Sequence, residues 1–232
     1  MIFPDNTLLL RAIDSRHSVR AYLDRKPQKE ILDCLSAEIT RINTTRDLSF
    51  RLVADEPTAF SGFLARYGKF RNVTNYIIVS GPKGDYMLSR LCGYEGERLV
   101  LAIQALGLNS CWVGMSFRKS TVDFNVPASH KIRAVIAFGY GESRGVSHKT
   151  KTPEQVSNIT DGAPQWFRDG IDAALKAPTA INQQKFHFTL TPSGNVTLRA
   201  GFSLVGYTHI DLGIAACHFD LAAAPGHTTV LN

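Results

Sequence analysis

No stretch of the 232-residue sequence approaches the roughly 20 consecutive apolar residues that a membrane-spanning helix requires. The chain also lacks a positively charged start followed by an apolar run, so a cytoplasmic location and no membrane partner are expected. Cysteine is scarce. Cys34, Cys92, Cys111 and Cys217 stand singly in apolar surroundings without a C-x-x-C pair, which favours reduced core thiols over disulfides or metal ligation. The seven histidines show no ligand spacing, and no metal is expected. There is no G-x-S-x-G elbow, so His17 beside Ser18 does not indicate a hydrolase. Gly139, Gly141 and Gly145 are spaced G-x-G-x-x-x-G with no helix pattern after them, which argues against a dinucleotide phosphate loop.

The remaining composition is that of a soluble globular chain, 44% apolar and 20% charged, long enough for one sizeable core or two small ones. A net charge of +6 comes from dispersed basic residues without a DNA- or RNA-binding module, so small anions are expected as partners and nucleic acid is not. Apolar spacing predicts helices over 7–14 and 27–42, and a long one from Asp85 to a stop at Gly107. Strands are expected at 48–53, 76–80 and 132–141, with a short extended piece at 110–115 and a helical turn after it. The polar stretch 142–164 reads as a linker or surface loop. Beyond it come a helix over 166–177, a hairpin over 186–200 turning at Ser193-Gly194-Asn195, and a last helix over 208–223.

Two echoes suggest an internal duplication. Residues 30–52 resemble 169–190, pairing Ile31 with Ile171, Leu35 with Leu175, Ala37 with Ala177 and, after a one-residue slip, Asn43 with Asn182. "ALGLNSCW" resembles "DLGIAACH", pairing Gly107 with Gly213 and Cys111 with Cys217. A duplicated chain can imitate a symmetric dimer within one molecule.

The segment "SRHSVRAY" gathers Arg16, His17, Ser18 and Arg20 in a connector between two expected helices. Arginine forks and a hydroxyl suit phosphate oxygens, although composition alone also allows a solvated basic connector. "APTAINQQKF" places Thr179, Asn182, Gln183 and Gln184 after a helix, and their amides offer donors and acceptors to the edge of a heterocycle.

Together these segments resemble the FMN-dependent nitroreductase family. "AIDSRHSVRAY" is similar to its I-x-x-R-x-S-x-R-x-[FY] signature, and "GERLVLAIQALGLNSCWVG" to its helix and C-W-x-G turn. "AVIAFGYGE" is similar to its G-Y-P strand and "APTAINQQKF" to its A-P-S-x-x-N-x-Q-P-W element. The last element here follows the G-Y strand rather than the arginine motif, an order that resembles the branch with two half-like repeats in one chain.

The resemblance implies an α+β fold, a three-layer α-β-α sandwich with a mixed central sheet. Residues 1–145 would be a first half, 146–164 a linker and 165–232 a second half, forming an intramolecular pseudo-dimer that can exist as a monomer. It implies one FMN per chain, held by Arg16, His17, Ser18 and Arg20 on its phosphate, ribityl and pyrimidine parts. Pro178, Thr179, Ala180 and Asn182 would cover it from the opposite half, Val113 and Gly114 would approach N5, and Lys149 or Lys151 would add phosphate contacts. The implied activity is hydride transfer from NADH or NADPH through the flavin to a nitroaromatic or quinone-like small molecule, with no catalytic side-chain acid or base. A flavin- or small-ligand-binding module without turnover is the alternative, and a basic nucleic-acid scaffold a more distant one.

Overall fold

A computed structural model of the chain describes residues 1–84, 86–122 and 126–230. The expected helix start at Asp85, and Leu231 and Asn232 of the expected second half, lie outside the described residues. In chain order the elements are α1 (Asn6–Ser15), α2 (Lys29–Arg46), β1 (Arg51–Val53), α3 (Phe63–Tyr67), β2 (Asn75–Pro82), α4 (Tyr86–Ala105), β3 (Asn109–Val113), α5 (Lys119–Val122) and β4 (His130–Gly139). They continue with α6 (Pro153–Val156), α7 (Gln165–Ala174), β5 (Phe186–Leu190), β6 (Val196–Ala200), α8 (Thr208–Ala222) and β7 (Thr229–Val230). The fold is α+β.

The strands form two sheets: β1-β2-β4-β3, antiparallel throughout, and β5-β6-β7, in which β7 lies parallel to β6. The long apolar run of β4 has a direct cause. Alternate residues Ile136 and Phe138 face α1, α2 and α4, whereas Val135 and Ala137 pack under Phe60, Phe70 and Tyr76 on the other side. Both faces of the sheet are therefore covered, and no polar alternation is permitted. A separate cluster joins Phe167 and Ile171 of α7, Phe186 and Phe188 of β5 and Phe219 of α8.

Several boundaries differ from the sequence reading for local reasons. The strand expected over 48–53 is ladder-paired only from Arg51, because the Asn43 amide takes both backbone groups of Phe50, accepting from its N–H at 2.7 Å and donating to its carbonyl at 2.8 Å. The helix expected to reach residue 177 ends at Ala174, since a residue preceding proline, here Ala177 before Pro178, disfavours helical backbone. The expected loop 142–164 contains α6, started by Pro153 and a capping box between Thr152 and Gln155.

One of the proposed pairings is corrected by the structure. Gly107 ends α4 in a left-handed turn with φ +82°, whereas Gly213 lies inside α8, and Cys111 is in β3 whereas Cys217 is in α8. The tertiary contact pairs Gly213 with Gly93 instead. A Cβ on Gly93 would meet the Ile210 carbonyl oxygen at 2.1 Å, and one on Gly213 would meet the Arg90 carbonyl oxygen at 1.9 Å. Each glycine thus touches the residue three before the other, the reciprocity of an isologous contact. The same offset of 120 positions aligns Asn75 and Gly81, near the two ends of β2, with Asn195 and Gly201, which flank β6. Helix, strand, strand and helix occur in that order as α2-β1-β2-α4, with α3 inserted between β1 and β2, and as α7-β5-β6-α8.

Candidate functional site

The basic connector is held extended by its neighbours. Ser18 bridges Ser110 in parallel, Val19 N–H donates to the Ser110 carbonyl at 3.0 Å, and Leu23 N–H donates to the Tyr140 carbonyl at 2.8 Å. Val19 and Tyr22 are buried as anchors, which leaves Arg20 between them exposed. A cavity of about 240 Å³ opens beside it. Ser18, Arg20, Val113 and Gly114 line one side, and Pro178, Thr179 and Ala180 line the other. Residues separated by 160 positions in the chain thereby share one hollow. A second hollow of about 390 Å³ continues from Arg20, Val113 and Gly114 toward Tyr67 and Phe70.

The segment that closes the cavity is strained. Ile181, Asn182 and Gln184 all have positive φ, at 46°, 57° and 45°. For a β-branched residue such as Ile181 this backbone costs about 1–3 kcal/mol and persists only when other contacts hold it. Asp211, in the first turn of α8, does so. Its carboxylate accepts from the Ala180 N–H at 3.0 Å and from Gln183 Nε2 at 2.7 Å. Burial raises the Asp211 pKa to about 7, against the opposing pull of those two hydrogen bonds. On the far side Asn182 Nδ2 and Gln184 Nε2 each donate to the Lys149 carbonyl at 2.9 Å, and Lys151 Nζ donates to the Gln184 carbonyl at 2.6 Å.

Tyr207 stands at the mouth. It adopts φ +61° just before α8, and its hydroxyl donates to the Gly114 carbonyl at 3.0 Å. A Cβ at Gly114 would lie 2.7 Å from the Tyr207 ring, so the glycine permits the close approach. Neither Tyr207 nor Asp211 was singled out by the sequence reading. The available signals were a carboxylate in the first turn of a largely apolar helix and an aromatic after Gly206.

The other expected residues are placed elsewhere. Lys149 and Asn182 meet each other through the backbone carbonyl just described and do not line the cavity. The Cβ of His17 lies 2.7 Å from where a Gly145 Cβ would sit, which brings the 145 turn against the arginine segment. Arg16 is only 4% exposed and turns inward. Its Nη2 donates to the Lys176 carbonyl at 3.3 Å, its Nε lies 3.9 Å from Glu97 Oε1, and that Nε has no hydrogen-bond partner among the described residues. Burial lowers the Arg16 pKa, and Glu97 partly restores it.

Glu97, on α4, organises a wholly buried group. Its Oε2 accepts from Trp112 Nε1 at 2.7 Å, and its Oε1 lies 2.9 Å from His218 Nε2 on α8. His218 Nδ1 faces the Ala173 carbonyl at 3.0 Å, and because a carbonyl only accepts, that nitrogen carries the hydrogen. The Trp112 ring lies over α4 where Gly96 leaves room, since a Cβ there would meet it at 2.4 Å. One carboxylate therefore ties β3 to the α4–α8 crossing.

Residues 8–223 match the protein family described as "Putative TM nitroreductase". The chain belongs to this nitroreductase family. Similar structures include one from Thermotoga maritima described as a "putative nitroreductase", 22% identical, covering 92% of this chain and 82% of its own with a TM-score of 0.66. A "putative nitroreductase in complex with fmn" from Desulfovibrio desulfuricans is 22% identical, covering 67% of this chain and 98% of its own, TM-score 0.52. A "Putative NADH dehydrogenase/NAD(P)H nitroreductase" from Parabacteroides distasonis is 24% identical over the same shares, TM-score 0.51. These likenesses establish the nitroreductase fold for the described chain.

Proposed function

We propose that this nitroreductase-family chain is an FMN-dependent NAD(P)H oxidoreductase that reduces nitroaromatic or quinone-like small molecules. The observation that carries the reading is the composite cavity, in which Ser18 and Arg20 face Pro178, Thr179 and Ala180 across one hollow. The residues suit a flavin. Val113, Ala134, Pro178, Ile210 and Ile214 supply apolar walls for a planar ring, and Arg20, which has no ion pair among the described residues, supplies a cation for its anionic edge. The buried Arg16 Nε without a partner is a further unsatisfied donor beside the same segment.

Arg16, His17, Ser18 and Arg20 would hold the phosphate, ribityl chain and pyrimidine edge, with Lys149 or Lys151 adding to the phosphate contacts. Pro178, Thr179 and Ala180 would cover the ring, Asn182 would hold that segment in place through the Lys149 carbonyl, and the backbone at Val113 and Gly114 would approach the N5 region. Bound FMN supplies the two-electron chemistry, accepting hydride from NADH or NADPH and passing it on. The chain's part is orientation and field. Arg20 stabilises negative charge at the pyrimidine edge, the 178–181 segment excludes water, and no side-chain acid or base is required.

The internal arrangement supports a pseudo-dimer carrying one such site. The glycines at 93 and 213 make reciprocal contacts, and the first-half counterpart of Asn182 is Asn43, whose amide is hydrogen-bonded to both backbone groups of Phe50. The protein would then be a monomer, with 1–145 and 165–232 supplying the two sides.

The test is a visible spectrum of the purified protein, loaded with FMN and desalted, before and after anaerobic NADH or NADPH. Near one equivalent of retained flavin that bleaches is expected. Retained flavin that does not bleach would leave a binding module without turnover, and no retained flavin would remove the composite site.

A further inference from the structure

Beyond Tyr207 a second groove, of about 440 Å³, shares only Gly114 and Tyr207 with the cavity. Its wall is basic. Lys83, Lys119, His130, Lys131 and Arg133 line it, and no acidic side chain does so among the described residues. The sheet register places most of them: Lys131 pairs with Gly81 and His130 with Pro82, and Lys83 N–H donates to the Ser129 carbonyl at 2.9 Å. Two of these side chains are fixed. Arg133 donates to Ser89 Oγ at 2.7 Å and to the Pro82 carbonyl at 2.6 Å, and His130 Nδ1 lies 2.6 Å from Ser49 Oγ. The ammonium groups of Lys83, Lys119 and Lys131 are exposed and make no ion pair or hydrogen bond among the described residues.

We propose that this groove receives the phosphates of the dinucleotide reductant and selects NADPH over NADH. The inference rests on the flavin reading of the adjacent cavity and adds to it the choice of donor. Of the two hollows that share Gly114 with the cavity, the one beyond Tyr207 is the more basic, with five basic side chains on its wall against Arg20 and Lys69 on the other. It is therefore the one suited to the phosphates of a reductant whose ring enters the cavity. Three unpaired lysines exceed what a pyrophosphate with two charges needs. The additional 2′-phosphate, itself close to doubly charged, gives them a partner that NADH lacks. Exposed lysines act here as screened point charges, so the preference is salt-dependent.

The experiment measures FMN content after desalting, and NADP⁺ and NAD⁺ binding by calorimetry, for wild type and the Lys83→Ala/Lys131→Ala variant. Both replaced side chains are exposed, so the variant is expected to melt with wild type. NADP⁺ is expected to bind at least about fivefold more tightly than NAD⁺ at about 20 mM salt, and less so at about 200 mM. The double variant should lose about tenfold in NADP⁺ affinity and at most about twofold for NAD⁺, with unchanged FMN. Equal wild-type affinities for the two nucleotides, or an unchanged NADP⁺ affinity in the variant, overturn the proposal while leaving the flavin reading intact. Loss of FMN in the variant also overturns it, by assigning the groove to the flavin's own phosphate. Lysine-dependent NADP⁺ binding to a wild-type protein that retains no FMN would instead sink the flavin reading and keep the groove.

Discussion

Replacing Gly213 with alanine tests whether the α4–α8 crossing holds the site together. The new Cβ would stand 1.9 Å from the Arg90 carbonyl oxygen and 2.7 Å from the Tyr94 nitrogen. Both are backbone atoms, so no side chain can swing aside. Reaching an ordinary contact near 3.4 Å requires the helices to part by about 1.5 Å, enough to forfeit much of the dispersion attraction along the seam. Overpacking of this kind costs about 3 kcal/mol, at the upper end of the usual range. Alanine returns about 1 kcal/mol of helix propensity. The net loss is about 2 kcal/mol, which lowers the melting temperature of a chain this size by about 4–8 °C. Because Tyr207 and Asp211 sit at the start of the displaced helix, retained FMN should fall as well. Scanning calorimetry with flavin quantitation reads both, with Gly162→Ala as a control where nothing lies within 4 Å. A Gly213→Ala protein that melts at or above wild type would falsify the reasoning, since propensity alone would then govern the position.

For Asp211→Asn the sign follows from burial: with a folded pKa of about 7 against 3.8, the unfolded chain ionises first as pH rises. Wild-type stability contributed by this group is then fully present below about pH 4 and lost toward about pH 7, at up to about 1.4 kcal/mol per unit. The variant lacks that loss, so its stability relative to wild type should climb through the same window and level off; parallel urea-midpoint curves would refute the assignment. Arg20→Ala should weaken FMN retention and slow flavin reduction, and Asn182→Ala should impair the same two properties although it lies more than 160 positions away. Mutants that disturb unrelated properties would show that the site is not composite. Glu97→Ala leaves the Trp112 indole without its acceptor, His218 without its carboxylate neighbour and Arg16 without its nearest counter-charge, all of them buried or partly so, and should cost about 3–5 kcal/mol in denaturant unfolding, with Glu97→Gln milder. Equal midpoints for Ala and wild type would show that the network contributes nothing.

By itself the sequence determined the elements whose patterning is unambiguous. The period of α2, the two-sided apolar run of β4 and the Gly194 turn between β5 and β6 were all readable because local spacing decides them. It also placed Ser18, Arg20, Val113, Gly114, Pro178, Thr179 and Ala180 on the list of residues that the fold then brought to one cavity. Tertiary structure decided the rest. The crossing of α4 and α8 rests on backbone contacts, of Gly93 with Ile210 and of Gly213 with Arg90, that no local string displays, which is why "DLGIAACH" resembles a turn and strand in sequence and yet forms a helix. The inward turn of Arg16 depends on Glu97, and the hold on Ile181 depends on Asp211. Each of these joins groups far apart in the chain, where close packing and the penalty for unpaired buried charge outweigh anything local pattern records.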